Sequence, residues 1–368
     1  FFSEGKKGEY LFLIDEAHNL VERGREMYSA VLYKEEFLQM KKAVRYESVK
    51  LTRQLEGCNQ MLLEMKRECQ TYKEYNSISH FALKLLNVMN GLQKLLEEKE
   101  QVDEEVLEFY FHVRNFLNIY EEVDENYVIY TEIGTQGKVI LRLFCVNPAA
   151  NIGRCLEKGK SAVFFSATLL PIRYYKKLLS VETDDYAVYA HSPFKEANRL
   201  LVLGQDVSTK YTRRGYEMYE RFAIYIKNVM QAKPGNYLVF FPSYRFMEEV
   251  REMCCMMQEQ NMNEQDREAF LQEFEAEREG SLAGFCVMGG IFSEGIDLTK
   301  ERLIGAMIVG TGLPQVCNER EILKQYFDRH GENGFDYAYL YPGMNKVMQA
   351  AGRVIRTVHD RGIIALLD

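Results

Sequence analysis

No proline occurs before Pro148, and glycine is scarce between residues 35 and 125. Nothing in that long stretch forces the backbone out of a helix. No apolar run approaches the roughly 20 residues that a membrane-spanning helix needs, so no membrane partner is expected. The eight cysteines are Cys58, Cys69, Cys145, Cys155, Cys254, Cys255, Cys286 and Cys317. None forms a C-x-x-C pair, which excludes zinc-ribbon and ferredoxin spacings. Several sit in apolar runs and read as reduced, mostly buried thiols. The chain opens FFSEGKKGEY, with neither an initiator methionine nor a signal-peptide pattern. The expectation is a fragment that lacks an amino-terminal part, from a cytoplasmic or nuclear protein that is not secreted. Positive charge is not in excess either: the formal net charge is −8. That weighs mildly against a globally basic nucleic-acid binder and leaves a local basic groove open.

What is present has the composition of an ordinary soluble globular protein, 47% hydrophobic and 27% charged. The length, 368 residues, suits two or three domains. The most informative stretch is YLFLIDEAHNL at residues 10–20. A short apolar run, Leu11 to Ile14, stops at Asp15-Glu16-Ala17-His18. Such a run suits a strand buried in a parallel sheet, and ligands bind beyond the carboxyl ends of those strands. Asp15 can hold Mg²⁺ through water while phosphates complete the shell, and Glu16 can orient a water for attack on a phosphoryl group. The plain alternative is an ordinary strand-to-helix junction with Asp15 as a cap.

The pattern along the chain is α/β. A helix is expected from about Asn19, carrying Leu20, Val21, Met27 and Val31 at helical spacing. Residues 35–125 are dense in Glu, Lys, Gln, Leu and Met and predict an all-helical insertion, with a cap at Asp103 and solvated charged faces. YVIYTEI and KVILRLFCV have strand composition, SAVFFSAT is another apolar run, and Pro171 opens a helix. Gly153 and Gly159-Lys160-Ser161 imitate a phosphate-binding loop, but the spacing is one residue too long and the GKS precedes a strand. From Arg199 onward, strands and helices alternate as in a parallel sheet: RLLVLG, NYLVFF, AGFCV, LIGAMIVG and RGIIALLD are the strands. SYRFMEEVREMCCMMQEQ and YPGMNKVMQAAGRVIRTVHD read as helices.

Three further stretches carry chemistry suited to strand ends. Ser166 and Thr168 place hydroxyls beyond SAVFF; alone they could equally form a local turn. GGIFSEGIDL offers Glu294, Gly295 and Asp297, a carboxylate pair in a glycine-rich loop that could bind ribose or simply face water. QAAGRVIRT places Gln349, Arg353 and Arg356 on one helix face, with Gly352 keeping the neighbouring surface low. Forked guanidinium donors suit a phosphate.

In this order, DEAH, SAT, FFPSY, GGIFSEGIDL and QAAGRVIRT resemble motifs II to VI of superfamily 2 helicases, and more narrowly the XPD/DinG family of DNA helicases. The resemblance implies two RecA-like motor domains, residues 1–34 with 126–185 (incomplete) and 186–368, with residues 35–125 as an Arch-like insertion. It implies ATP and Mg²⁺ as cofactors, with Asp15 and Glu16 at the metal. Glu16 would be the catalytic base, and His18, Ser166 and Thr168 would couple nucleotide state to DNA binding. Ser243 and Tyr244 would lie near the bound strand. Gly295, Glu294 and Asp297 would couple the motor domains. Gln349, Gly352, Arg353 and Arg356 would form the phosphate-sensing end, with Arg356 foremost as arginine finger. The implied substrate is single-stranded or forked DNA, unwound 5′ to 3′ in repair or replication by a monomer. The family's Walker A loop and four-cysteine [4Fe–4S] domain precede the DEAH stretch and have no counterpart in these residues, so the chain alone is expected to be inactive. A DEAH-type RNA helicase and a non-catalytic, helicase-like scaffold are the alternative readings.

Overall fold

Leu11–Ile14 forms the first strand, β1. The structure, a computed structural model, describes residues 8–98, 103–182, 184–250, 256–257, 262–275, 279–292, 298 and 300–368. Along the chain, β1 is followed by α1 (Leu20–Met27), β2 (Ala30–Tyr33), α2 (Lys34–Ala43), α3 (Val49–Glu68), β3 (Tyr72–Tyr75), α4 (Ser79–Glu98) and α5 (Glu104–Glu121). Then come β4 (Tyr127–Ile133), β5 (Val139–Cys145), α6 (Ala149–Leu156), β6 (Ser161–Phe164) and α7 (Ile172–Leu179). The later elements are β7 (Arg199–Gly204), α8 (Tyr216–Ala232), β8 (Asn236–Phe241), α9 (Tyr244–Glu249), β9 (Met256–Met257), α10 (Glu264–Gln272) and β10 (Leu282–Val287). The chain closes with β11 (Gly305–Val309), α11 (Asn318–Arg329), α12 (Tyr341–Ala351) and β12 (Gly362–Leu367). It divides into two units, Phe1–Tyr186 with Val316–Gly334, and Ala187–Gln315 with Phe335–Asp368.

In the first unit β1 pairs parallel with β6, Leu11 opposite Ser161 and Ile14 opposite Phe164. The GKS stretch lies in the turn from α6 into β6, as its position before a strand requires. The long helices form where proline is missing. Asp103 accepts from the Glu105 amide at 3.1 Å as the cap of α5, and Ser48 caps α3 in the same way.

Three expectations change here. Val31 lies in β2 rather than on α1, because α1 stops at Met27. The stretch expected to be all helical contains one short strand, β3, whose residues pair with β4. The strands β4 and β5 join an antiparallel sheet, β2-β5-β4-β3, apart from the β1-β6 pair. The physical reason is burial: Ala30, Leu32, Leu141, Leu143 and Cys145 share one core with Phe37, Leu55, Phe81 and Phe116 of the helices. The helical body is therefore bounded by β2 and β5 rather than by residues 35 and 125.

The second unit is a six-stranded parallel sheet, β7-β12-β11-β8-β10-β9. Alternation along β8 sets its two faces. Leu238 and Phe240 pack with Phe270 and Phe274 near α10 and Val347 of α12. Tyr237, Val239 and Phe241 pack with Phe222 of α8 and Phe246 of α9. Gly284 in β10 allows the close approach: a Cβ there would meet the Phe274 ring at 2.6 Å. Met256 and Met257, read from sequence as part of a long helix after Tyr244, pair instead with β10, and α9 ends at Glu249.

α11 departs from the expected boundary. The stretch 186–368 was read as one domain, yet Val316–Gly334 belongs with the first unit. Ile322, Leu323, Tyr326 and Phe327 bury one face of α11. Polar contacts anchor it: Asn318 donates to Glu132 at 3.0 Å, Gln325 to the Tyr72 hydroxyl at 2.9 Å, and Arg329 pairs with Glu74 at 2.9 Å.

Phe37 is fully buried, with ring centroids 6.3 Å from Phe81 and 5.2 Å from Phe109. Phe37→Ala is expected to destabilise the helical body by about 3–5 kcal/mol. Amide hydrogen exchange reads this as faster exchange across α2 to α5 with β8 and β11 unaffected; unchanged protection in α2 to α5 would contradict the packing described.

Candidate functional site

The parallel register of β1 and β6 brings two turns to one level. The Ala17 amide donates to the Phe165 carbonyl at 3.2 Å, and the Phe165 amide to Ile14 at 3.0 Å. Glu16 sits in the left-handed region at φ 47°, ψ 40°. For a non-glycine residue that costs about 1–2 kcal/mol, and such strain is concentrated at functional turns. The turn is held by the Glu16 amide donating to Asp15 Oδ1 at 2.7 Å and by the Asn19 amide donating to the Glu16 carbonyl at 3.0 Å.

The consequence is a compact polar cluster. Ser166 Oγ donates to Glu16 Oε2 at 3.2 Å and lies 2.7 Å from His18 Nδ1. The Thr168 amide donates to the same oxygen at 3.3 Å. A hydroxyl has one proton and two lone pairs. With its proton on Glu16 and the Thr168 N–H on one lone pair, Ser166 accepts from His18 Nδ1–H, which assigns that tautomer. His18 Nδ1 is also 3.3 Å from Glu16 Oε2. The His18 side chain is 3% exposed and the Glu16 side chain 63%. One end of the cluster is thus fixed inside the protein while the carboxylate faces solvent. Asp15 is exposed beside it.

The arginine segment differs from the sequence expectation. α12 ends at Ala351, so Gln349 and the two arginines do not share one helix face. The Arg353 amide donates to Ala350 and the Val354 amide to Ala351, each at 3.4 Å, tightening the last turn. Val354 then turns into the core, 1% exposed, where a Cβ on Gly362 would meet it. Burial of Val354 draws the chain off the helix. Gln349 is buried in α12, Gly352 caps the helix, Arg353 is half-buried and Arg356 exposed.

A residue that sequence reasoning missed shapes this loop. Asp360 is buried, and its Oδ2 accepts from the Arg356 amide at 2.8 Å and the Thr357 amide at 2.7 Å. The Thr357 hydroxyl donates to Oδ1 at 2.7 Å. Burial pushes the Asp360 carboxyl up, but the Thr357 hydroxyl and the amides of Arg356, Thr357 and Lys300 outweigh it and hold the group below its ordinary value. The available signal was a Thr-x-x-Asp spacing just before the last strand, a local turn pattern.

Ser243 accepts from the Phe246 amide at 3.2 Å as the cap of α9, and Tyr244 is half-buried beside it. Glu294, Gly295 and Asp297 lie outside the described residues. Among the described residues no three His, Cys, Asp or Glu side chains gather as a metal cage. The described cysteines are free thiols; Cys58, Cys69, Cys145 and Cys286 are buried, whereas Cys155 and Cys317 are exposed.

Comparison with known proteins fits this arrangement. Residues 226–368 match the family of the helicase C-terminal domain. The chain is 24% identical over 298 residues to a probable ATP-dependent helicase of Methanocaldococcus jannaschii, covering 74% of this chain and 42% of that protein. It is 25% identical over 215 residues to the ATP-dependent DNA helicase XPD of Sulfolobus acidocaldarius, covering 56% of this chain and 39% of that protein. These matches make the chain similar to the XPD-type helicases. It therefore spans about two fifths of the length of these two curated relatives. Among solved structures, Xpd4 of S. tokodaii superposes with a TM-score of 0.66 at 16% identity, over 98% of this chain and 71% of that one. An XPD helicase superposes at 0.58 and 20% identity, over 98% and 65%. Both likenesses are of fold, and the parallel sheets of this chain agree with RecA-like domains.

Asp360→Ala is expected to weaken the second unit by about 1–3 kcal/mol at neutral pH, since loss of the buried charged acceptor leaves the Thr357 hydroxyl and the amides of Arg356, Thr357 and Lys300 without it. The folded carboxyl is lower than the unfolded one, so its contribution is complete above the ordinary value of about 3.9 and is lost as pH falls through the folded value. Denaturation of wild type and variant across acid pH should show the difference shrinking as pH drops; a constant difference would contradict the ionised, hydrogen-bonded Asp360.

Proposed function

We propose that this chain forms part of an ATP-driven DNA helicase, contributing the acidic turn and the arginine loop to its ATPase. The observation that carries the reading is the Glu16–Ser166–His18 cluster at the paired ends of β1 and β6. It supplies an exposed carboxylate, restrained from one side by a buried imidazole through a hydroxyl. Such a group can orient and deprotonate a water next to a phosphoryl group.

Asp15 and Glu16 fit Mg²⁺, since hard oxygen donors on an exposed turn suit an ion that keeps most of its waters. When bound, the ion neutralises phosphate charge. Glu16 acts as base. His18 holds Ser166 and, through it, the rotamer of Glu16. Thr168, whose amide also reaches Ser166, ties the following turn to the same point. Arg356 supplies a forked cation for the developing phosphate charge, and Arg353 and Gln349 assist. Ser243 and Tyr244 lie along the path of the strand. Gly352 ends α12 so that the arginine loop can leave the helix, and Glu294, Gly295 and Asp297 couple the motor domains. The DNA substrate, single-stranded or forked, 5′ to 3′ movement, and a role in repair or replication rest on the family likeness and on the names of relatives such as the DNA helicase XPD. The assigned setting is a monomer in the cytoplasm or nucleus, with residues 1–34 and 126–185 in the first motor domain and 186–368, apart from Val316–Gly334, in the second.

In the intact native protein, Glu16→Gln is expected to lower DNA-stimulated ATP turnover by about 10²–10⁴-fold. Arg356→Ala should lower it by about 10³-fold or more. ATP affinity should stay within a few-fold for both. Steady-state turnover with equilibrium nucleotide binding checks this, and undiminished turnover in both variants would overturn the reading.

A further inference from the structure

The chain leaves the second unit after β11, passes through Val316–Gly334 in the first unit, and returns before α12. The links on either side of α11, residues 310–317 and 331–333, lie outside helix and strand. α11 itself is seated by an apolar face of Ile322, Leu323, Tyr326 and Phe327. Burial of that face is what holds it, since ion pairs near a surface add little to stability. The charged contacts at its two ends therefore call for another explanation.

Those contacts reach the two helices that leave the functional turns. Near the start of α11, Arg320 Nη1 lies 3.3 Å from Glu22 Oε1 in the first turn of α1, the helix that follows the acidic turn. The same oxygen takes Arg25 Nη1 at 3.0 Å, and Arg25 Nε donates to the Val146 carbonyl, just beyond β5, at 2.8 Å. The Arg25 side chain is 2% exposed and that of Arg320 17%. Desolvation pushes the Glu22 carboxyl up, but Arg25 and Arg320 outweigh it and hold the group below its ordinary value. Just past the end of α11, Glu332 pairs with Lys177 at 2.5 Å. Lys177 belongs to α7, the helix that follows the Ser166 turn. Tyr174 of α7 is buried, and its hydroxyl feels the charges of both Arg25 and Glu22. One segment thus grips α1 at one end and α7 at the other. Arg25 alone would neutralise Glu22, so the second guanidinium serves to join α11 to α1.

We infer that Glu22 and Arg320 are positioning residues for ATP turnover, and that α11 is the strut through which DNA bound by the second unit acts on the Glu16 cluster. His18 leads through Asn19 directly into α1, so a displacement at Glu22 reaches the imidazole over about one helical turn. His18 holds Ser166, and Ser166 holds Glu16. Neither Glu22 nor Arg320 touches the reacting groups; both act through that turn. The inference rests on the helicase reading and adds to it the residues that connect DNA binding with the general base.

The test compares ATP turnover of the intact native protein with and without saturating oligothymidylate. Arg320→Ala should lower the DNA-stimulated rate by about 3- to 30-fold, with DNA-free turnover and ATP affinity within about twofold of wild type. The ratio of the two rates is the deciding readout, because a loss of folded protein lowers both in proportion. Arg320→Lys keeps a cation on Glu22 and should recover most of the ratio. Glu22→Gln should behave like Arg320→Ala, and the two together should be no worse than either alone. Arg329→Ala removes the Glu74 contact from the same helix and is the control; it should leave the ratio unchanged. An unchanged ratio in Arg320→Ala and Glu22→Gln, or a fall shared equally by both rates, would overturn the inference and leave the helicase reading standing. Wild-type turnover that DNA does not stimulate would overturn the helicase reading and this inference with it.

Discussion

The in-register parallel pairing of β1 with β6 is the constraint on which the proposed chemistry depends. Parallel strands end at the same side of a sheet, so their following turns meet there without any further device. Because Ile14 lies opposite Phe164, the turns after them reach the same height and Ser166 can touch both Glu16 and His18. A slip of one residue would reverse the faces of every side chain on one strand and separate the carboxylate from its hydroxyl. The left-handed backbone of Glu16 is maintained by backbone bonds on both sides of it, and it aims a carboxylate back toward the neighbouring strand instead of along its own.

The second unit solves a different problem, that of holding cationic side chains outside regular structure. Burial of Val354 ends α12 early, and the Asp360 carboxylate replaces the lost helical bonds for Arg356 and Thr357. At the opposite, carboxyl end of the sheet, Asp368 and Thr209 pin the loop that bears Tyr211 and Arg213. In both places a single acidic side chain satisfies backbone donors while the basic side chains are left to face outward. The first unit uses an acid differently: Glu22 pairs with the guanidinium groups themselves, of Arg25 at 3.0 Å and of Arg320 of α11 at 3.3 Å.

Much of this was legible in the sequence, for reasons that differ by element. The five strands expected from Arg199 onward are short apolar runs bounded by turns, and each one is present in the second unit's sheet. The helices of the first unit followed from missing proline and from the Asp103 cap. Pairing was harder. Tyr127–Ile133 and Val139–Cys145 read correctly as strands, but only tertiary burial against the helices decides that they join β2 and β3. The membership of α11 was hidden for the same reason, since its partners Glu22, Glu74 and Glu132 are far away in sequence. The arginine helix misled because Arg353 and Arg356 keep helical spacing although Val354 between them is drawn into the core. The proximity of Glu16, Ser166 and His18 was expected from family likeness; their hydrogen-bonding order came from the geometry.

The central claim is that Ser166 and His18 act on Glu16 as one unit. A double-mutant cycle on DNA-stimulated ATP turnover, with Ser166→Ala, His18→Ala and the pair in the intact protein, tests it most directly. The account predicts strong non-additivity, with the double variant about as slow as the slower single variant. Losses that multiply, as for two independent sites, would contradict it.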